Sequence, residues 1–173
     1  MKLCWSYKND EYIKSKAIAE GLYRAIVRLR DNDSEENRES MHLYQLIEQL
    51  PLVKRKHINM YFPESVVCAR IDMPDESAVL YKHTLLTMAA RFAIEDVFKA
   101  LLGHPKIDLC KPCIHFKKHQ ITSGEVIVSS HDYEEESVLK ILKNSENDLL
   151  MNLFLEKLDK EPVDRPWISR FKC

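Results

Sequence analysis

The sequence predicts a mainly α fold. Three observations carry that expectation. Only three glycines occur in 173 residues, against an average usage of about 7%, and a glycine-poor chain suits helices better than turn-rich sandwiches. Hydrophobic residues make up 45% of the chain, enough for the core of one domain, or of one domain with an appendage. These residues recur at three- and four-residue steps, the period of amphipathic helices.

The elements follow in order. Over 10–30, Ile13, Ala17, Ile18, Leu22, Ile26, Val27 and Leu29 keep the helical period, and the polar run "DNDSEEN" ends that helix. A second helix is expected over 39–50, with Leu43, Leu46, Ile47 and Leu50 on one face. Pro51 can open a short third one, "LVKRKHINMYF", because its missing N–H costs nothing in a first turn. "SVVCARIDM" and "SAVLYKH" flank a Pro-Asp turn and suggest a β-hairpin over about 65–83; the competing reading is a helix starting at Pro74. Two helices are predicted over 84–92 and 95–103, the second ending near Gly103 and Pro105. "DYEEES" reads as an acidic helix start. In the last helix Leu149, Leu150, Leu153, Phe154 and Leu158 form a stripe, with Asn144 or Ser145 as its cap. Trp167, Ile168 and Phe171 are expected to dock the tail.

At Thr84 the chain becomes familiar. "TLLTMAAR" resembles the ankyrin repeat signature T-P-L-H-x-A-A-R, with Leu85 for Pro and Thr87 for His, and "EDVFKALLGHPKIDL" resembles that repeat's second helix and exit turn. The recognisable repeat covers about 84–111. A degenerate one is read at about 125–150 from a shift of 41 residues, which lays Ser137–Leu150 over Asp96–Leu109. Ankyrin repeats are stable only when several stack. The resemblance therefore implies stacked antiparallel helix pairs in a short, degenerate ankyrin-like region over 64–161, next to the N-terminal helical region over 1–63 and the docked tail over 162–173 that the residues themselves suggest. It implies Ala89 and Ala90 where neighbouring repeats approach, and Leu86, Val97, Leu101 and Leu102 in the inner layer.

Composition bounds the chemistry. Phosphate-cradling loops, dinucleotide folds and nucleophile elbows need clustered glycines, and none exists here. Lys+Arg at 26 nearly balances Asp+Glu at 27, so no global field draws the chain to nucleic acid or anionic lipid. The start "MKLCWSYKND" has no apolar run of signal type, and no stretch reaches the roughly 18 apolar residues of a membrane span. Five cysteines without such a signal suggest reduced thiols in a cytoplasmic protein. A prenylation box would need its Cys where Arg170 stands.

"CKPCIHFKKH" places Cys110, Cys113, His115 and His119 within ten residues. A C-x-x-C turn can offer two thiolates to zinc, though the single residue between Cys113 and His115 makes one tetrahedral site hard to close; His104, Cys68 or Cys173 could substitute. Ordinary loop residues are the alternative. A Cys/His nucleophile can be drawn on paper, but nothing marks one Cys as activated. "KRKH" and "HFKKH" are short basic clusters that charged surface explains.

The resemblance implies a protein–protein interaction module without catalysis or cofactor. Its partner is then another protein, with no membrane, nucleic acid or small-molecule substrate expected. Such modules bind through their finger loops and inner helices, which singles out Tyr81, Lys82, His83, Arg91 and Phe92. Solitary degenerate proteins of this kind also occur among bacterial effectors delivered into host cytoplasm and among viral proteins. A small zinc-binding protein using Cys110, Cys113, His115 and His119 is the alternative.

Overall fold

The computed structural model describes residues 3–31, 36–68, 77–117, 121–122, 125–126 and 133–160. They form a mainly helical protein with one small antiparallel sheet. Helix α1 spans Leu3–Asp31 and α2 spans Glu36–Glu48. A 3-10 turn at Leu50–Leu52 holds Pro51, and the four-residue α3 follows at Arg55–Ile58. The expected helix from Pro51 to Phe62 therefore breaks early. Phe62 instead opens β1, Phe62–Cys68, which pairs with β2, Ser77–His83. The hairpin reading holds, with Phe62 opposite His83 and Cys68 opposite Ser77; the turn itself, with Pro74, lies outside the described residues.

Helices α4 (Leu85–Arg91) and α5 (Glu95–Gly103) occupy the segments that the periodicity marks. Thr84 starts α4 with a capping box. Its Oγ1 accepts from Thr87 N at 3.2 Å, and its own N–H donates to Thr87 Oγ1 at 2.8 Å. Two orphan donors of the first turn are thereby satisfied. The helix ends at Ala93, which has φ of 54°. Ala93 N–H bonds Ala90 O at 3.4 Å and Ile94 N–H bonds Ala89 O at 3.0 Å, the paired bonds of a Schellman end.

Strands β3 (Cys113–Lys117) and β6 (Tyr133–Glu136) complete a sheet ordered β1-β2-β3-β6, all antiparallel. A two-residue pair, β4 (Ile121–Thr122) with β5 (Glu125–Val126), lies between them in sequence. Pro63 sits on β1, an edge strand, where its missing donor breaks no ladder. The acidic run at 133–136 is thus a strand and no helix start: α6 (Val138–Asn144) begins only after Ser137, whose hydroxyl accepts from Lys140 N at 3.2 Å. Helix α7, Asp148–Lys160, is capped by Asn147, whose Oδ1 accepts from Leu150 N at 3.0 Å, instead of by Asn144 or Ser145.

The order β6, α6, α7 repeats the order β2, α4, α5. His83 and Glu136, Thr84 and Ser137, Ala93 and Glu146, Glu95 and Asp148 are each 53 residues apart. At each pair the roles match: last strand residue, hydroxyl cap, left-handed residue (φ 54° and 52°), and start of the following helix. The equivalence set by a shift of 41 is corrected accordingly. The segment 138–144 corresponds to α4, the first helix of the unit, and not to α5.

Like helices meet. α4 packs on α6, α5 on α7, and α1 on both α2 and α4. One core runs through all of them, from Ile18, Leu22 and Ile26 through Leu86, Met88, Val97 and Leu101 to Leu142, Leu150 and Phe154. Fully buried Ala89 and Ala90 let α4 take neighbours closely. Gly21 does the same for α1, because a Cβ there would lie 3.1 Å from Leu46 Cδ2. The N-terminal segment is fastened by polar contacts too. Ser15 Oγ lies 2.7 Å from His57 Nδ1 and accepts from Lys54 N at 2.8 Å, and Tyr23 donates to Pro63 O at 2.8 Å while stacking on Phe62.

Candidate functional site

Alternation along the strands sorts the sheet's side chains onto two faces. The register places Tyr81, His115 and Glu134 in one cross-strand row. The same pleat puts His83, Cys113 and Glu136 on that face. It looks toward α4 and α6, because Arg91 at the end of α4 reaches into it. Arg91 forms an ion pair with Glu136, sets its guanidinium 5.1 Å from the Tyr81 ring centroid, and brings Nη2 to 3.1 Å from His115 Nε2. Asn144, at the end of α6, donates to Glu136 Oε1 at 3.2 Å. Glu136 is 6% exposed, and a buried carboxylate needs such partners. It accepts from α4 and α6 at once, with His115 Nε2 of β3 3.0 Å away.

Deeper in the same face, His83 and Cys113 are both fully buried, with Sγ 3.9 Å from Nε2. Burial pushes the Cys113 thiol up to about 12 and holds His83 down at about 3. Both are neutral at neutral pH. A nucleophilic thiol requires the reverse, a thiolate sustained by a cationic neighbour; Arg91 pulls Cys113 that way, and burial outweighs it. His115 is likewise held below the ordinary imidazole range, first by burial, against the raising influence of Glu136 at 3.0 Å.

Three of the four zinc candidates are described, and they do not form a group that could hold a metal ion. Cys113 and His115 share the inner face with the Arg91 guanidinium beside them. Cys110 lies half-exposed in the preceding turn, where its N–H bonds Asp108 Oδ1 at 3.1 Å, and His119 lies outside the described residues. Among the described residues no three His, Cys, Asp or Glu side chains are grouped to hold a metal ion. His104, a possible substitute, is buried with Nδ1 accepting from Lys106 N at 3.2 Å; Cys68 and Cys173 lie where no side chain is described.

Of the five residues singled out as contact positions, the structure brings Tyr81, His83 and Arg91 together and separates the other two. His83 is buried, with Tyr81 stacked above it at 5.4 Å, so it supports a surface instead of forming one. Lys82 is exposed on the opposite face of the same strand. Phe92 is half-buried against the core with the Arg30 guanidinium 5.4 Å from its ring, which turns it toward α1. Glu134 and Lys140, joined at 2.6 Å on the open rim of the corner, and Glu136 escaped the sequence reading. A signal for Glu136 existed: it precedes a hydroxyl cap and an apolar pair, as His83 does.

No family model, no curated protein and no solved structure matches this chain. Among the described residues no helix is long and apolar enough to cross a membrane.

Proposed function

We propose that the chain is a protein-binding module, built as a short ankyrin-like stack, whose partner lies in the corner between the sheet and helices α4 and α6. The observation that carries this reading is the unit of strand, hydroxyl cap, helix, left-handed residue and helix, repeated 53 residues on with like helices in contact. Stacked units of this sort generate an extended surface from neighbouring strands and helices. Tyr81 and Arg91 are its anchors, types enriched at interface centres. Tyr81 is half-buried and clamped by His83, His115 and Arg91, so little rotamer entropy remains to be lost on binding. Glu134 and Lys140 form the polar rim, while Lys82 and Phe92 lie off the corner, on the opposite face of the sheet and toward α1. Binding without turnover fits the neutral Cys113–His83 pair.

The test is site-specific photo-crosslinking in a lysate of the native cells. A crosslinker at Glu134 or Lys140 is expected to trap one discrete protein, and one at Lys16 or Arg28 on α1 is not. Equal adducts from both sets, or none from the corner, would sink the assignment.

A further inference from the structure

A cleft of about 430 Å³ opens between α3 and the loop that follows α5, lined by Arg55, Lys56, Asn59, Asp108 and Lys111. Its floor is fixed by Asn59, a buried residue. Asn59 Nδ2 donates to Arg55 O at 2.9 Å and to Lys106 O at 2.8 Å, and its Oδ1 accepts from Asp108 N at 2.8 Å. Two of the cations are positioned by aromatic rings. Lys56 Nζ lies 3.8 Å from the Tyr12 ring centroid, and Lys111 Nζ lies 4.1 Å from that of Tyr61 while donating to Asn59 O.

These three cations outnumber the acid beside them. Among the described residues no carboxylate forms an ion pair with Arg55, Lys56 or Lys111. Asp108, the one acid of the lining, holds Cys110 N–H with Oδ1. Elsewhere the chain does neutralise its lysines: adjacent Lys54 lies 3.4 Å from Glu11. The concentrated charge is felt next door, where His57 is held below the ordinary imidazole range by burial first, then by Lys56, Lys54 and Lys16.

We propose that this cleft binds a phosphate monoester dianion. Three cations against one carboxylate leave a charge near +2, which a phosphate monoester at about −1.5 to −2 near neutral pH neutralises and a single carboxylate does not. The exposed guanidinium of Arg55 offers the planar fork that takes two phosphate oxygens, and the two ammoniums act as point charges. The cleft exceeds a bare phosphate and falls within the roughly 300–1,000 Å³ of small-ligand sites, so the carrier of the phosphate also fits. A phosphorylated small molecule and a phosphorylated side chain present the same group. The site shares no residue with the proposed partner-binding corner and does not rest on that reading.

The test is an amide-shift titration of the full chain at constant ionic strength, with inorganic phosphate, glucose 6-phosphate and an alanyl-phosphoseryl-alanine peptide as probes. Saturable shifts are expected at 55–59 and 108–111, with dissociation constants on the order of 1 mM or tighter for at least one ester. The phosphate-free sugar and peptide should give none. Tighter binding of the sugar ester assigns a small-molecule source, and tighter binding of the peptide a phosphorylated protein. The Arg55→Ala/Lys56→Ala variant is expected to weaken binding at least about tenfold, since it removes two of three cations. Its melting temperature is expected to stay unchanged, because both side chains are exposed; if it drops, Arg55→Gln alone is used, and it must weaken phosphate binding. Shifts that follow ionic strength alone, absence of saturation, or equal affinity in wild type and variant overturn the proposal.

Discussion

Arg91→Ala probes the joint at Glu136. The substitution strips the guanidinium from a carboxylate that is 6% exposed, and from His115 and Tyr81. Removing one partner of a fully buried pair costs about 3–5 kcal/mol. Here the Arg91 side chain is 28% exposed, so water can enter, and Asn144 still donates. The expected loss is therefore lower, about 2–4 kcal/mol. At about 2–4 °C per kcal/mol for a chain of this size, the melting temperature falls by roughly 5–15 °C. Thermal and urea unfolding by circular dichroism at pH 7.5 measure it. The Arg91→Ala/Glu136→Gln variant supplies the control: an uncharged amide leaves no orphaned charge, so about 1–2 kcal/mol should return. A single-variant loss below about 0.5 kcal/mol would mean the pair behaves as a screened surface bridge. A double variant weaker than the single would equally refute the reasoning. Sequence alone places Arg91 on a binding surface whose removal spares the fold; the structure gives it a second task that makes it costly to remove.

Three further outcomes are expected. Ala93→Gly should stabilise by about 0.5–1 kcal/mol, because the left-handed strain of Ala at φ 54°, about 1–2 kcal/mol, exceeds the entropy that Gly adds to the unfolded chain; a lower urea midpoint contradicts this. Leu101→Ala, fully buried in α5, should cost about 2–5 kcal/mol through its cavity, and a denaturant titration showing under about 1 kcal/mol would remove Leu101 from the core. His57, His83, His104 and His115 are all held below the ordinary range, each chiefly by burial. Unfolding lets each take up a proton, so their contribution is complete above the unfolded value near 6.5 and is lost as the pH falls, for His83 down to about 3. Urea midpoints at pH 7, 6, 5 and 4 should decline, by up to about 1.4 kcal/mol per pH unit for each histidine still neutral in the fold; a midpoint that rises on acidification excludes it.

The helices were legible because their stripes repeat locally: Leu85, Leu86, Met88 and Ala89 predict α4 within a residue of its observed ends. The hairpin was legible from the β-branched residues around 66–80. Strand β6 was not, because "YEEE" has neither apolar alternation nor β-branched residues; its pairing to β3 comes from the sheet edge that β2 and β3 already offer. The internal repeat was blurred for a related reason. Its constant features are a hydroxyl cap and a left-handed residue, filled by Thr or Ser and by Ala or Glu, so identity is low while backbone roles agree. The corner site was half legible. Arg91 lies inside the familiar motif and Tyr81 just ahead of it, whereas Glu136, Asn144 and Lys140 reach it from the other unit and only through the correct spacing. Cys113 and His115 drew attention as metal ligands because sequence gives spacing but not which way a pleat turns them.

The stacking of like helices bears on how the molecule comes apart. Its helices contact one another within each pair and, from pair to pair, through α1 with α4, α4 with α6 and α5 with α7. Terminal pairs of such a ladder can open while the others stay closed. Peeling away α6 and α7 would uncover Leu142, Leu150 and Phe154 yet leave the burial of Ile18, Leu22 and Ile26 under α2 and α4 largely intact. What resists that peeling is the carboxylate of Glu136, held at the same moment by the tail end of α4 and the tail end of α6. It works as a latch across the seam, so amide exchange in α6 and α7 measures the grip of a single side chain.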